Sequence, residues 1–90
     1  MLEIVLSNQF KKDLKLANKR GLNLELLNEV VTKLANQEEL PQSNKDHKLS
    51  GNYKGFRECH IKPDWLLIYK IHNDELILFL TRTGSHSDLF

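Results

Sequence analysis

From Phe56 onward the sequence holds three runs rich in aromatic and branched residues, Phe56–Ile61, Trp65–Ile71 and Leu76–Thr83, with only short turns between them. Runs of this kind are strands, and strands joined so closely pair antiparallel. The middle run, Trp65-Leu66-Leu67-Ile68-Tyr69, is apolar at every position rather than at alternate ones. A strand with that pattern needs cover on both faces and belongs at the centre of a sheet.

The first half of the chain supplies that cover. Leu2–Leu6 reads as a further strand, and Ser7 stands as the N-cap of a helix from Asn8 to Arg20. Phe10, Leu14 and Ala17 recur there at helical spacing until Gly21 ends the pattern. Asn23 caps a second helix running to about Gln37, with Leu24, Leu27, Val31 and Leu34 on one face. Two amphipathic helices joined by a glycine-containing link form a helical hairpin that requires a sheet beneath it. The order β-α-α-β-β-β predicts an α+β fold: an antiparallel sheet of about four strands with the hairpin packed on one face. With 90 residues, the chain is expected to be a single domain spanning 1–90.

Composition narrows the class further. An apolar share of 40% and a charged share of 28% are those of a folded globular chain rather than a disordered one. The single cysteine rules out an internal disulfide and fits a reducing compartment. No run reaches the roughly 20 apolar residues of a membrane span and no signal pattern opens the chain, so a cytoplasmic protein without membrane contact is expected. The net charge of +1 is uninformative, but its distribution is not. Lys45, Lys48, Lys54, Arg57 and Lys62 face only Asp46 and Glu58 over one stretch, which suits a phosphate backbone and equally suits a solvated loop. Much of that stretch falls in the long polar connector Glu38–Gly55, where Leu49 is the expected anchor to the core.

Turn positions predict which residues meet. A two-residue turn at Asn73-Asp74 sets Trp65 opposite Arg82, and one at Lys62-Pro63 sets His60 opposite Trp65. Opposed residues share a face, so His60, Trp65 and Arg82 would form one row, with Asp64 at its lip and His86 four residues beyond Arg82. Such a cluster suits metal-free RNA cleavage, in which the ribose 2′-hydroxyl attacks the adjacent phosphorus. Histidines serve as base and acid near neutral pH, and a guanidinium matches the phosphoryl oxygens. Trp65 and Phe90 would stack exposed bases. Each residue also has a plainer role: the histidines as surface groups, Asp64 as a turn residue, Trp65 as core, Arg82 as partner of Asp64 or Glu58, Phe90 as a frayed end. Cys59 falls on the strand face opposite His60 and reads as a small buried hydrophobe. A three-histidine metal site is the rival chemistry, but no His-x-x-x-His or His-x-His pair supports it.

Taken together, Asp46-His47-Lys48-Leu49, the run from Gly55 to Tyr69 and the run from Arg82 to Phe90 resemble the YafQ branch of the RelE/ParE toxin superfamily. The resemblance covers Asp46 to Phe90; the helical half fits the layout without a diagnostic motif. It implies a small RelE-like fold and a ribosome-dependent mRNA interferase, the toxin of a bacterial type II toxin–antitoxin pair. Such a toxin cuts mRNA in the ribosomal A site without metal or other cofactor. The family's working residues fall on His47, His60, Asp64, Arg82, His86 and Phe90, with Trp65 beside them. The implied roles are His86 as general acid, His47 or His60 as base, and Asp64 orienting a histidine or holding the ribose. Arg82 would stabilise the phosphorane, Phe90 the scissile nucleotide, and Lys48, Lys54 and Lys62 would meet RNA. Implied partners are a cognate antitoxin, mRNA and ribosomal RNA, with operator DNA reached only through the antitoxin. The alternative is a non-catalytic ParE-like inhibitor of DNA gyrase, against which the three histidines at motif positions argue.

Overall fold

A computed structural model describes residues 1–90 as β1 (Glu3–Leu6), α1 (Asn8–Lys19), α2 (Leu24–Ala35), β2 (His47–Lys48), β3 (Arg57–Lys62), β4 (Trp65–His72), β5 (Ile77–Gly84) and α3 (His86–Leu89). The α+β layout is as expected, including both helix starts. The Ser7 side chain accepts from the Phe10 amide and that of Asn23 from the Glu25 amide, each satisfying a donor the helix leaves free. Gly21 links the two helices at φ 75°, a left-handed conformation that costs glycine little.

The sheet departs from expectation in two ways. It has five strands, in the order β1-β5-β4-β3-β2, and it is mixed rather than antiparallel, because β1 runs parallel to β5. Short turns dictate direction only among β3, β4 and β5. β1 is tied to the rest through the helical hairpin, and a short apolar run carries no directional signal of its own. The fifth strand, β2, is two residues of the long connector laid against β3.

β4 holds the centre, as its composition demands. Trp65, Leu67 and Tyr69 join the main core with Phe10, Leu27, Val31 and Leu34 of the hairpin. Leu66 and Ile68 point the other way, into a small cluster with Leu89, packed by Leu49, Tyr53 and Phe56. Helices cover one face entirely, while the other is covered only in part by the connector and α3. That leaves room on the second face for polar side chains from β2 and β3.

Register is where the sequence misleads. The first turn is Pro63-Asp64, not Lys62-Pro63, so Lys62 opposes Trp65, and a bulge at Ile61 sets His60 opposite Leu66. The second loop has four residues and ends on Leu76 at φ 55°, so His72 opposes Ile77. A second bulge then brings Arg82 opposite Ile68. The row His60–Trp65–Arg82 therefore does not exist. Trp65 is 2% exposed, with its indole N–H donating to Thr83 Oγ1 at 3.0 Å, and is a core residue rather than a stacking platform.

The connector is pinned rather than loose. Asp46 accepts from the Tyr69 hydroxyl at 2.6 Å and from Arg57 Nε at 3.3 Å, and Asn44 donates to the His60 carbonyl at 2.7 Å. Burial and the neighbouring carboxylate hold the Tyr69 phenol well above its ordinary pKa, so it stays a donor. Replacing Tyr69 with phenylalanine keeps the packing and removes only that bond to a charged acceptor. Tyr69→Phe should therefore lower the unfolding free energy by about 1.5–3 kcal/mol in urea titrations, with amide protection disappearing first around β2.

Candidate active site

β3 alternates. Up to the bulge, Cys59 turns into the core at 0% exposure while Glu58 and His60 face the other way; beyond Ile61 the sense reverses, and Lys62 stands on the side of Trp65. Burial pushes the Cys59 thiol up to about 12, so it is no nucleophile at neutral pH. β2 brings His47 directly opposite Glu58. The turn between β3 and β4 carries Asp64. Beyond β5 the chain enters α3 with His86 as its first residue. Three remote segments thus bring three imidazoles together, with ring centroids 6.4 Å apart for His47–His60 and 5.7 Å for His60–His86.

Each ring is held by the same nitrogen. Nδ1 of His47 lies 2.7 Å from the Lys45 carbonyl, Nδ1 of His60 3.3 Å from the Pro63 carbonyl, and Nδ1 of His86 2.8 Å from Asp64 Oδ1. Carbonyl and carboxylate oxygens only accept, so each Nδ1 bears the proton and each Nε2 is left for other chemistry. Two of these free nitrogens meet one carboxylate oxygen: Glu58 Oε1 is 3.5 Å from His47 Nε2 and 3.6 Å from His60 Nε2. The Glu58 side chain is only 6% exposed. Asp64 fixes His86 twice, accepting also from its backbone amide at 3.0 Å, and these two bonds hold the Asp64 carboxyl below the ordinary range.

Arg82 shares this face through its pairing with Ile68, but its partner is neither Asp64 nor Glu58. Its Nε and Nη2 donate to Asp13 of α1 at 2.9 and 3.2 Å, around the edge of β5 that β1 leaves after Leu80. That ion pair, with a smaller contribution from Tyr53, raises the guanidinium pKa further. Phe90 is 63% exposed and meets Tyr53 edge-on at 5.7 Å.

Of the residues expected at a site, His47, His60, Asp64 and His86 come together, Arg82 and Phe90 flank them, and Trp65 does not take part. Lys62 is exposed and lines a hollow beside His60 and Asn44. Lys48 and Lys54 are exposed at the opposite end of β3, where they line a cleft of about 550 Å³ with Phe56, Arg57 and Ile71. Glu58, Asp13 and Tyr53 were not anticipated. Two of them left a trace: Glu58 is two residues from His60 on one strand face, and Asp13 interrupts the apolar stripe of Phe10 and Ala17. Tyr53 left none.

The family model described as the bacterial toxin of a type II toxin–antitoxin system, YafQ, matches residues 2–90. The chain is 46% identical to the mRNA interferase toxin YafQ of Escherichia coli K12, over 98% of this chain and 95% of that one. A metal-bound toxin from Helicobacter pylori is 53% identical and superposes with a TM-score of 0.94, all of both chains being covered. The toxin of the E. coli DinJ–YafQ complex is 44% identical with a TM-score of 0.89, over 100% of this chain and 99% of that one.

The depressed Asp64 carboxyl gives a pH test. Whatever its hydrogen bonds contribute to docking α3 is present above the ordinary value of 3.8 and disappears as pH falls through the lower folded value. In an NMR titration the Asp64 carboxyl carbon should turn below 3.8, and His86→Ala, which keeps the backbone bond but not the ring bond, should move that midpoint part of the way back up.

Proposed function

This chain belongs to the YafQ family of bacterial type II toxin–antitoxin toxins, and from that premise we propose that it is a ribosome-dependent mRNA endonuclease. The single observation that supports the chemistry best is the common tethering by Nδ1 of three neighbouring imidazoles, which leaves Nε2 of each ring untethered by a backbone or Asp64 oxygen.

His60 or His47 takes the proton of the ribose 2′-hydroxyl on its Nε2, and Glu58, lying against both, stabilises the imidazolium that results. The 2′-oxygen bonds to phosphorus, and the bond from phosphorus to the 5′-oxygen breaks. His86, oriented by Asp64 and entering the step as the imidazolium, gives the leaving 5′-oxygen the proton of its Nε2, so that the products are a cyclic phosphate and a free 5′-hydroxyl. Two guanidinium nitrogens of Arg82 are committed to Asp13, and the remaining edge carries its charge toward the phosphoryl oxygens. Exposed Phe90 stacks on a base near the cut, and Lys62 meets a neighbouring phosphate.

The partners proposed are mRNA in the ribosomal A site and a cognate antitoxin, as DinJ is for E. coli YafQ. The chain matches the YafQ model along its length and sets acid–base groups side by side, which favours a nuclease over a ParE-like gyrase inhibitor. No helix is long and apolar enough to cross a membrane.

Primer extension on mRNA bound to translating ribosomes tests the reaction. His86→Ala and His60→Ala should each slow cutting by ~10²–10⁴-fold, the usual worth of a general acid or base. Undiminished cutting by His86→Ala would remove that residue from the mechanism. Cutting should also persist in chelator; loss in chelator with recovery on adding a divalent metal would replace this mechanism with a metal-assisted one, a real contest given the metal-bound H. pylori relative.

The basic cleft at Lys48 and Lys54 serves ribosomal RNA in this reading, with Lys70 Nζ 5.5 Å from the Phe56 ring at its edge. Reversing the charge of Lys48 and Lys54 together should weaken ribosome binding and flatten its dependence on salt, by roughly one unit of log–log slope for each phosphate no longer neutralised.

A further inference from the structure

Helix α1 meets the β5–α3 segment through two carboxylate–guanidinium pairs of opposite sense. Asp13 of α1 holds Arg82, and Arg20 at the C-cap of α1 holds Asp88 at 2.6 and 3.1 Å. Asp13 and Arg20 are two helical turns apart and project toward the same side of α1. Between the two pairs lies a polar cleft of about 180 Å³, lined by Gln9, Arg20, Gly84 and Asp88 among others. Apolar packing therefore does not fill the space between the helix and the turn that carries His86.

Three further details concern Asp88. Its carboxylate accepts from the Ser85 amide at 2.9 Å while Ser85 Oγ accepts from the Asp88 amide at 3.2 Å, a reciprocal cap that shapes the turn. Gly84 makes room for it: a Cβ there would lie 2.9 Å from Asp88 Oδ2. Leu89 packs into the small apolar cluster and Asp64 accepts from the His86 amide and ring, so the turn is tied to the sheet at its β4 side. The two-pronged Arg20 contact, made across 68 residues of sequence, anchors the opposite side of the turn to α1.

Resting on the nuclease reading above, we infer that α1 is a positioning element of the active site. Through Asp13 it sets Arg82, and through Arg20 and Asp88 it sets the turn bearing His86 and Phe90, so that a rigid helix fixes the spacing of the cation and the acid. Arg20, Asp88 and Asp13 are positioning residues; they act through Arg82 and His86 rather than on RNA. An exposed ion pair contributes little to global stability, so its purpose here is geometric.

Arg20→Gln tests this, with Arg20→Lys as its companion. Arg20→Gln should lower kcat for mRNA cleavage on ribosomes roughly ten- to a hundredfold with KM unchanged, the scale set by misplacing a reacting group by about 1 Å. Its melting midpoint should fall by no more than about 8 °C from that of the parent protein. Heteronuclear NOE values at residues 86–90 should fall, and the Asp64 carboxyl midpoint should rise toward 3.8 as the His86 ring loosens. Arg20→Lys keeps the charge but not the fork and should recover only part of the rate. A parental kcat, an equally ordered turn, or a rate decrease that tracks a large drop in melting midpoint would each overturn the inference. The NMR arm needs no RNA: if the parent protein cuts none, the nuclease reading fails, while an ordered turn in Arg20→Gln would still overturn the clamp and a disordered one would still support it.

Discussion

Five consecutive residues of β4, Trp65 to Tyr69, are removed from water on both faces of the sheet, each 2% exposed or less. Everything else is arranged around that requirement. A strand apolar on both sides has to be covered twice, and this chain has only one helical hairpin to do it. The second cover is improvised from Leu49, Tyr53, Phe56 and Leu89, side chains of the connector and the last turn. These are the same segments that deliver His47, Arg57's partner Asp46, His86 and Phe90. The site therefore sits on the second face because the pieces that bury Leu66 and Ile68 arrive there carrying it.

This explains how much could be read in advance. The central strand, the hairpin and both helix caps follow from composition and period alone, since burial and capping act locally. So does the inward turn of Cys59 against the outward turn of His60. The row of His60, Trp65 and Arg82 failed because a single added residue on one strand reassigns every later side chain to the other face. Two such shifts occur, at Ile61 and at Thr81, and neither leaves a glycine or proline to announce it. His60 and Arg82 stayed on one face all the same, while Trp65, displaced to the other, became core. Asp13, Arg20 and Asp88 were invisible for a different reason: their pairing spans 68 to 69 residues and depends on how a helix lies against a strand end.

The edges of the sheet show the same economy of parts. β1 pairs with β5 only as far as Leu80, which would leave the next polar groups of β5 without partners. α1 supplies them. Ser7 Oγ donates to the Thr81 carbonyl at 2.7 Å, and Asp13 accepts from the Thr83 amide at 3.1 Å. The carboxylate that closes the sheet edge is also the one that holds Arg82, so the end of the sheet and the position of the guanidinium are one structural fact. Replacing Asp13 would disturb both, which is why the exposed Arg20 separates geometry from stability more cleanly.

Glu58 completes the picture of why histidines rather than lysines line this surface. A carboxylate at 6% exposure needs a compensating charge, and its ion-pair contacts are two imidazoles, His47 and His60. A lysine in either place would neutralise Glu58 permanently and leave nothing free to accept a proton. An imidazole tethered by Nδ1 presents only its Nε2 to the carboxylate. His86, held by the exposed Asp64 instead, lies 5.7 Å from His60 and outside the reach of Glu58. Two rings share a buried acid and the third answers to a solvated one. That asymmetry gives His47 and His60 surroundings different from those of His86.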